Sequence, residues 1–300
     1  SVMIALLVAG LSITLSRMLT RQISGLLQAI RSVREGAYSH RADASGTDEI
    51  AQIAAEFNSL TDRLQTTENA RRRFVSDASH ELKTPLAGIR LLTDSILQTD
   101  NMDPETTKEF VTDIGREAER LSRITENLLR LTRLDGGVVQ AAYPVAVGPV
   151  LQRVERMLGI VAEEKGVTIS GAASEDAVAL ATDDDVHQIL YNLMENAIKY
   201  SAAENGFVRT EAAARDGQVV ITVTDNGIGI PDEDLPHIFD RFYRVDKMRS
   251  REVGGTGLGL SIVKDTIENR GGTIRAGHGA EGVGTVFTVT LPLAQREEEP

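Results

Sequence analysis

The chain opens on an uncharged apolar run at residues 2–15, followed directly by Arg17 and Arg21. From 17 to 35, apolar residues recur at Ile23, Leu26 or Leu27, Ile30 and Val33; from 47 to 67 they recur at Ile50, Ile53, Phe57, Leu60 and Leu64. Steps that alternate between three and four are the spacing of a coiled-coil seam. Between the two runs, the polar, glycine-bounded residues 36–46 form a connector. So narrow a stripe cannot be buried by two short helices alone, which predicts a parallel bundle of two copies. Helical patterning continues to about Gln98, a turn follows, and Pro104 starts the next helix. That helix runs to Leu134 on a seam of Phe110, Ile114, Leu121, Ile124, Leu128 and Leu131, and Asp135-Gly136-Gly137 stops it. With Leu82, Leu86, Ile89, Thr93 and Ile96 as the facing seam, two such hairpins close a four-helix bundle.

After Gly137 the texture changes. Helix-like stretches (150–165, 184–199, 257–269) alternate with strand-like ones (167–170, 178–181, 208–213, 219–224, 273–275, 285–290), and Asp216-Gly217 signals a hairpin. The expected fold is therefore multi-domain. An all-α N-terminal part, made of the end of a membrane helix, a parallel four-helix coiled coil and a four-helix bundle formed by dimerisation, precedes an α+β two-layer sandwich. The expected boundaries are 1–16, 17–70, 71–136 and 148–294.

Composition narrows the chemistry. The 300 residues carry 32 Lys+Arg against 44 Asp+Glu, a net charge of −12, so a general basic surface for nucleic acid is not expected. With no cysteine there are no disulfides, thiolate metal sites or cysteine nucleophiles. The uncharged N-terminal run spans about 24 Å as a helix, short of the roughly 30 Å hydrocarbon core. A signal peptide would place its arginines before the apolar stretch, and here they follow it. The reading preferred is the C-terminal part of a membrane span, with everything after about residue 17 cytoplasmic; a buried core helix is the alternative.

Two regions carry candidate chemistry. Residues 74–89 read FVSDASHELKTPLAGI, and at 100° per residue His80 lies about 160° from Leu82, so its imidazole faces solvent. Glu81 beside it can fix the imidazole tautomer, Thr84 at i+4 shares its face, and Pro85 removes a backbone donor within the helix. An exposed histidine alone is usually only a surface residue. The second region supplies the context. Residues 225–229 (DNGIG), 254–260 (GGTGLGL) and 282–285 (GVGT) are glycine clusters, and the middle one opens a helix whose free amides can meet phosphate. Glycine motifs are weak singly. On the helix QILYNLMENAIKYS, however, Asn192, Glu195, Asn196 and Lys199 line one face, where amide oxygens suit a hard cation and the ammonium suits phosphate. Residues 239–244 (FDRFYR) lead into a polar stretch, 246–255, with the character of a mobile lid.

In this order and spacing the set resembles the sensor histidine kinases of two-component systems over about residues 71–293. His80-Glu81-Leu82-Lys83-Thr84-Pro85-Leu86 is similar to their phosphoacceptor box, residues 192–201 to the asparagine box, and 225–229, 239–243, 254–260 and 282–285 to the first glycine, phenylalanine, second glycine and third glycine boxes. Gly36, Asp48-Glu49-Ile50 and Phe57-Asn58 resemble a HAMP signalling module, in which Gln22 stands where many members carry proline. The resemblance implies a homodimeric, ATP- and Mg²⁺-dependent protein-histidine kinase. His80, Glu81 and Thr84 would be catalytic, with Glu81 as base or orienter and Thr84 serving a reverse phosphatase activity. Asn192, Asn196, Lys199, Tyr200, Asp225, Gly227, Gly229, Gly255, Thr256, Gly257, Leu258, Gly259 and Thr285 would bind nucleotide, with Asn196 also on the metal. The phosphoryl group would pass to an aspartate of a response regulator receiver domain. Alternatives are a gyrase-like nucleotide-driven clamp, which shares the ATP-binding fold, and a non-catalytic receptor scaffold.

Overall fold

The computed structural model describes residues 2–46, 48–99, 102–136, 140–202, 204–245, 255–279 and 282–294, apart from the side chains of 5, 15, 18, 19 and 135. The expected lid, save Gly255, and the tail 295–300 lie outside the described residues, as do Gly137 and Gly254. The chain divides into two compact units, Ser1–Ala78 and Ser79–Pro300.

In the first unit, helix α1 (Val2–Arg34) leads through the connector to the start of α2 (Glu49–Gln98). Asp48 Oδ1 accepts from the Ala51 amide and caps that start. Asn58 grips the connector with both ends of its amide: Nδ2 donates to the Ala42 carbonyl and Oδ1 accepts from the Ala42 N–H, each at 2.9 Å. Arg41 pairs with Asp62 and donates to Gln65 at 2.7 Å. The buried contacts are small, namely Ala29, Ala42 and Ala54, with Leu26 and Phe57 packed against them. Ile23, Leu27, Ile30, Ile53, Leu60 and Leu64 stay exposed in the chain. The seam therefore divides by size, alanines packing the two helices together and larger side chains lining an open stripe. Among the described residues no helix is long and apolar enough to cross a membrane.

The second unit begins with the hairpin of α2 and α3 (Pro104–Asp135). Asp103 accepts from the Glu105 and Thr106 amides, and Pro104 occupies the first helical position. The buried stripe of α2 is not the one expected. Ala78 and Pro85 are buried and Leu82 and Ile89 half-buried, whereas Leu86, at 58% exposure, and Thr93 are open. The packed side is rotated by about one residue, because Glu81 and Gly88, which hydropathy does not score as core, face α3. On α3, Ile124 and Leu131 are fully buried, and Phe110, Ile114, Leu121 and Leu128 are partly so. The helix of α2 continues through Pro85.

Beyond the hairpin come β1 (Tyr143–Ala146), α4 (Val147–Glu164), β2 (Val167–Ala173), β3 (Val178–Ala181), α5 (Asp183–Tyr200), β4 (Gly206–Arg215), β5 (Gln218–Asp225), α6 (Gly259–Asn269), β6 (Thr273–His278) and β7 (Thr285–Pro292). Five strands form a mixed sheet in the order β2-β4-β5-β7-β6, and β1 and β3 form a small antiparallel pair. The pairs β4–β5, β5–β7 and β6–β7 are antiparallel, as expected for a sheet of hairpins; β2–β4 is parallel, a crossover through α5 that tight-turn signals do not reveal. Asp216 (φ 49°) and Gly217 (φ 74°) make the β4–β5 turn with both central residues left-handed. Inward positions Val208 and Ala212 of β4, Val219, Ile221 and Val223 of β5, and Phe287, Val289 and Leu291 of β7 pack under α4, α5 and α6 into one continuous core.

Candidate functional site

The nucleotide candidates converge where the C-terminal half of α5 meets the ends of β5, β7 and α6. Thr182 and Asp185 form a reciprocal capping box that fixes the start of α5. Its apolar face, including Leu193, Ala197 and Ile198, is buried in the core, which leaves Asn196 and Lys199 half-buried along the other side. Asn192 is buried; its Nδ2 donates to the Gln188 carbonyl at 3.0 Å, and its Oδ1 lies 3.1 Å from where a Cβ on Gly259 would stand. Asn192 thus packs the asparagine helix against the start of α6.

Asp225 is 4% exposed. Its Oδ1 accepts from the amides of Gly227 at 2.8 Å and Thr285 at 3.2 Å. Burial raises its pKa, against those two N–H bonds, which favour the charged form. The glycines around it are steric requirements. A Cβ on Gly227 would stand 2.0 Å from the Tyr200 carbonyl oxygen, and one on Gly284 would stand 1.9 Å from that of Asp225. Gly229 (φ 71°) and Gly284 (φ 72°) adopt left-handed backbone. The first and third glycine clusters are therefore folded onto each other with Asp225 between them.

The second cluster closes the other side. Gly257 (φ 69°) accepts through its carbonyl from the Phe242 amide at 2.9 Å, and a Cβ there would lie 2.8 Å from the Phe242 backbone. Thr256 Oγ1 accepts from the Leu258 amide, and Leu258 caps α6 without a side-chain bond of its own. Lys199 Nζ lies 2.6 Å from where a Cβ on Gly255 would be and 5.1 Å from the Tyr200 ring centroid. Burial, then the charge of Arg244, lowers the Lys199 pKa to about 8. Among the described residues, Nε and Nη2 of Arg244 are buried with no hydrogen-bond partner. A half-buried lysine beside buried guanidinium nitrogens without partners gathers positive charge at one place, an arrangement suited to an anion. The sequence reading quoted Arg244 without assigning it a role, and nothing in its spacing marks it; only its neighbourhood does.

His80, Glu81 and Thr84 form a separate cluster on α2. His80 is exposed, and Thr84 Oγ1 donates to its carbonyl at 3.2 Å. Glu81 Oε2 accepts from Arg120 Nη2 across the hairpin at 3.2 Å, so its carboxylate is directed to α3. The hairpin meets the sandwich through α3. Arg130 pairs with Asp184 and donates to Gln188, each at 3.0 Å, and α3 packs on α6.

An exposed histidine on a helical hairpin thus precedes an α+β sandwich in which glycine clusters meet Asp225 and Lys199, and the family models define the class. Residues 14–66 match the HAMP domain, 70–137 the His Kinase A (phospho-acceptor) domain, and 181–295 the histidine kinase-, DNA gyrase B- and HSP90-like ATPase family. The chain belongs to the two-component sensor histidine kinases. It is 36% identical over 88% of its length to the signal transduction histidine-protein kinase AfsQ2 of Streptomyces coelicolor, covering 51% of that protein. The crystal structure of full-length ShkA in complex with AMPPNP is similar at 30% identity and a TM-score of 0.55, over 74% of this chain and 46% of that one. The histidine kinase ThkA in complex with the response regulator protein TrrA shares the fold at 22% identity and a TM-score of 0.59, over 77% and 66% of the two chains. The chain spans about half the length of the curated relatives it matches.

Proposed function

We propose that the chain is the signalling and catalytic part of a homodimeric sensor histidine kinase, with a membrane-helix end at 1–16, a HAMP module at 17–70, a dimerisation and phosphotransfer hairpin at 71–136 and an ATP-binding domain at 148–294. It is anchored to the membrane through its N-terminal helix, with the residues after about 17 cytoplasmic. The donor is ATP. Asp225, with its buried carboxylate held by two amides, receives the exocyclic amino group of adenine. Lys199, Arg244 and the amides opening α6 neutralise the phosphates, while Tyr200 flanks them or the ribose. Mg²⁺ would take the amide oxygen of Asn196 together with phosphate oxygens and water; among the described residues no group of three His, Asp or Glu side chains could hold a metal by itself.

His80 Nε2 attacks the γ-phosphorus as ADP departs, and Glu81 stabilises the positive charge left on the ring through the Nδ1 proton. Positioning and charge neutralisation carry the rate. The phosphoryl group then passes to an aspartate of a receiver domain, and Thr84, on the same face as His80, positions water for the reverse hydrolysis. The single observation supporting this reading is the pairing of a solvent-facing His80 with an anion pocket in the same compact unit. Incubation with γ-labelled ATP and Mg²⁺ should give acid-labile, base-stable label that disappears in His80→Gln. Steady release of phosphate without such label would instead identify a nucleotide-driven clamp.

A further inference from the structure

Among the described residues, two polar atoms inside the hairpin are buried without a hydrogen-bond partner: Oε2 of Glu117 and Nε of Arg120. Their side chains stand three residues apart on α3 and so share a face. That face is turned to α2. A Cβ on Gly88 would lie 3.9 Å from Glu117 Cγ, and Arg120 reaches Glu81 about two turns earlier on α2. The Arg120 and Glu81 side chains are 18% and 28% exposed. Pro85, buried and without an amide donor, lies between the two contacts. Two carboxylates and one guanidinium therefore occupy the hairpin interior within about two turns of His80, and among the described residues the guanidinium bonds Glu81 and not Glu117.

A guanidinium carries five donors, and Arg120 makes one side-chain bond here, to Glu81. A buried carboxylate oxygen with no donor is costly, and one unused donor, Arg120 Nε, stands three residues on along the same face of the same helix. We infer that Arg120 is shared between Glu81 and Glu117, and that its transfer to Glu117 releases Glu81 to the imidazole of His80. In the arrangement seen, the guanidinium holds the Glu81 carboxylate across the hairpin and makes it a weaker acceptor for a second donor. After the exchange both orphaned atoms gain a partner. Glu81 then accepts from Nδ1–H of His80, fixing the tautomer that leaves the Nε2 lone pair outward. Only side-chain rotamers change, and Arg120 and Glu117 act as positioning residues.

The inference rests on His80 being the phosphoacceptor, and its test separates the two. Glu117→Gln keeps the shape while removing the charge that competes for Arg120. In the full chain it should lower the initial rate of His80 labelling about three- to tenfold with nucleotide affinity unchanged, because Glu81 stays captured for more of the time. By NMR of the labelled imidazole, Glu117→Gln and Glu81→Gln should shift the His80 titration downward alike, and the two effects should not add. Arg120→Gln frees Glu81 permanently, so labelling should be at or above the wild-type rate and indifferent to a further Glu117→Gln change. A Glu117→Gln chain that matches wild type in both rate and titration overturns the relay, as does an Arg120→Gln chain that binds nucleotide yet labels no better than Glu81→Gln. If the wild-type chain takes no label, the kinase reading fails, and the His80 titration in Glu117→Gln still decides whether the relay exists.

Discussion

The sandwich and the helical hairpin solve the burial problem in opposite ways. In the sandwich, helices α4, α5 and α6 and three central strands close a core in which Ile189, Leu190, Leu193, Ile221, Val289 and Leu291 are fully buried. Its polar site is then set into a finished frame, with glycines wherever backbone must pass close to backbone. Among the described hairpin residues of the second unit, Pro85, Ile124 and Leu131 are the buried ones, while Leu86, Leu91, Val111 and Leu129 are exposed. These exposed apolar residues leave much of the hairpin's apolar surface uncovered within one chain. The contrast teaches that the sandwich closes its core within one chain, whereas the hairpin leaves much of its apolar surface open.

Leu193→Ala opens a cavity in the closed core and should cost about 2–5 kcal/mol, read by urea unfolding of the full chain; a loss well under that would mean the core is not the frame assumed. Leu86→Asp should leave that transition in place and weaken self-association by about 1.5–3 kcal/mol, the value of one buried leucine, visible in sedimentation equilibrium. An unchanged association constant would remove Leu86 from any dimer seam. Asp225→Asn keeps the shape but changes an acceptor into a partial donor toward the adenine amino group, and should weaken nucleotide binding roughly tenfold or more. The smallest effect is on pH. Lys199 titrates at about 8, and phosphate favours its charged form. Nucleotide affinity should therefore fall severalfold as pH rises from 7 to 9, with net proton uptake on binding near pH 8 by calorimetry in buffers of differing ionisation enthalpy. Binding without proton uptake would contradict the assignment of Lys199 to the phosphates.

What could be read from the sequence, and what could not, follows the same division. The sandwich helices and six of its strands were legible because each carries strong periodicity between glycine or aspartate turns, as at Asp216-Gly217. Strand β1 was missed, being four residues with a proline. The parallel β2–β4 pairing was missed because it depends on a distant partner rather than a turn. The buried stripe of α2 was placed one residue away because hydropathy favours Leu86 over Glu81 and Gly88, the residues that face α3. Arg244 and Arg120 were invisible as functional residues, since their significance lies in buried nitrogens without partners and not in any spacing. For the nucleotide pocket, the residues singled out in the asparagine helix and the glycine clusters are brought together in space. His80, Glu81 and Thr84 share one stretch of α2, but Glu81 is turned toward Arg120.

The account stands on one transfer, from nucleotide in the sandwich to the imidazole on α2. Intact-mass and peptide analysis at neutral pH, after incubation of the full chain with Mg-ATP, reads it directly. The expected result is a single added phosphoryl group located on His80, absent in His80→Gln and in Asp225→Asn at limiting nucleotide. An unmodified His80 in a chain that binds and turns over ATP would contradict it.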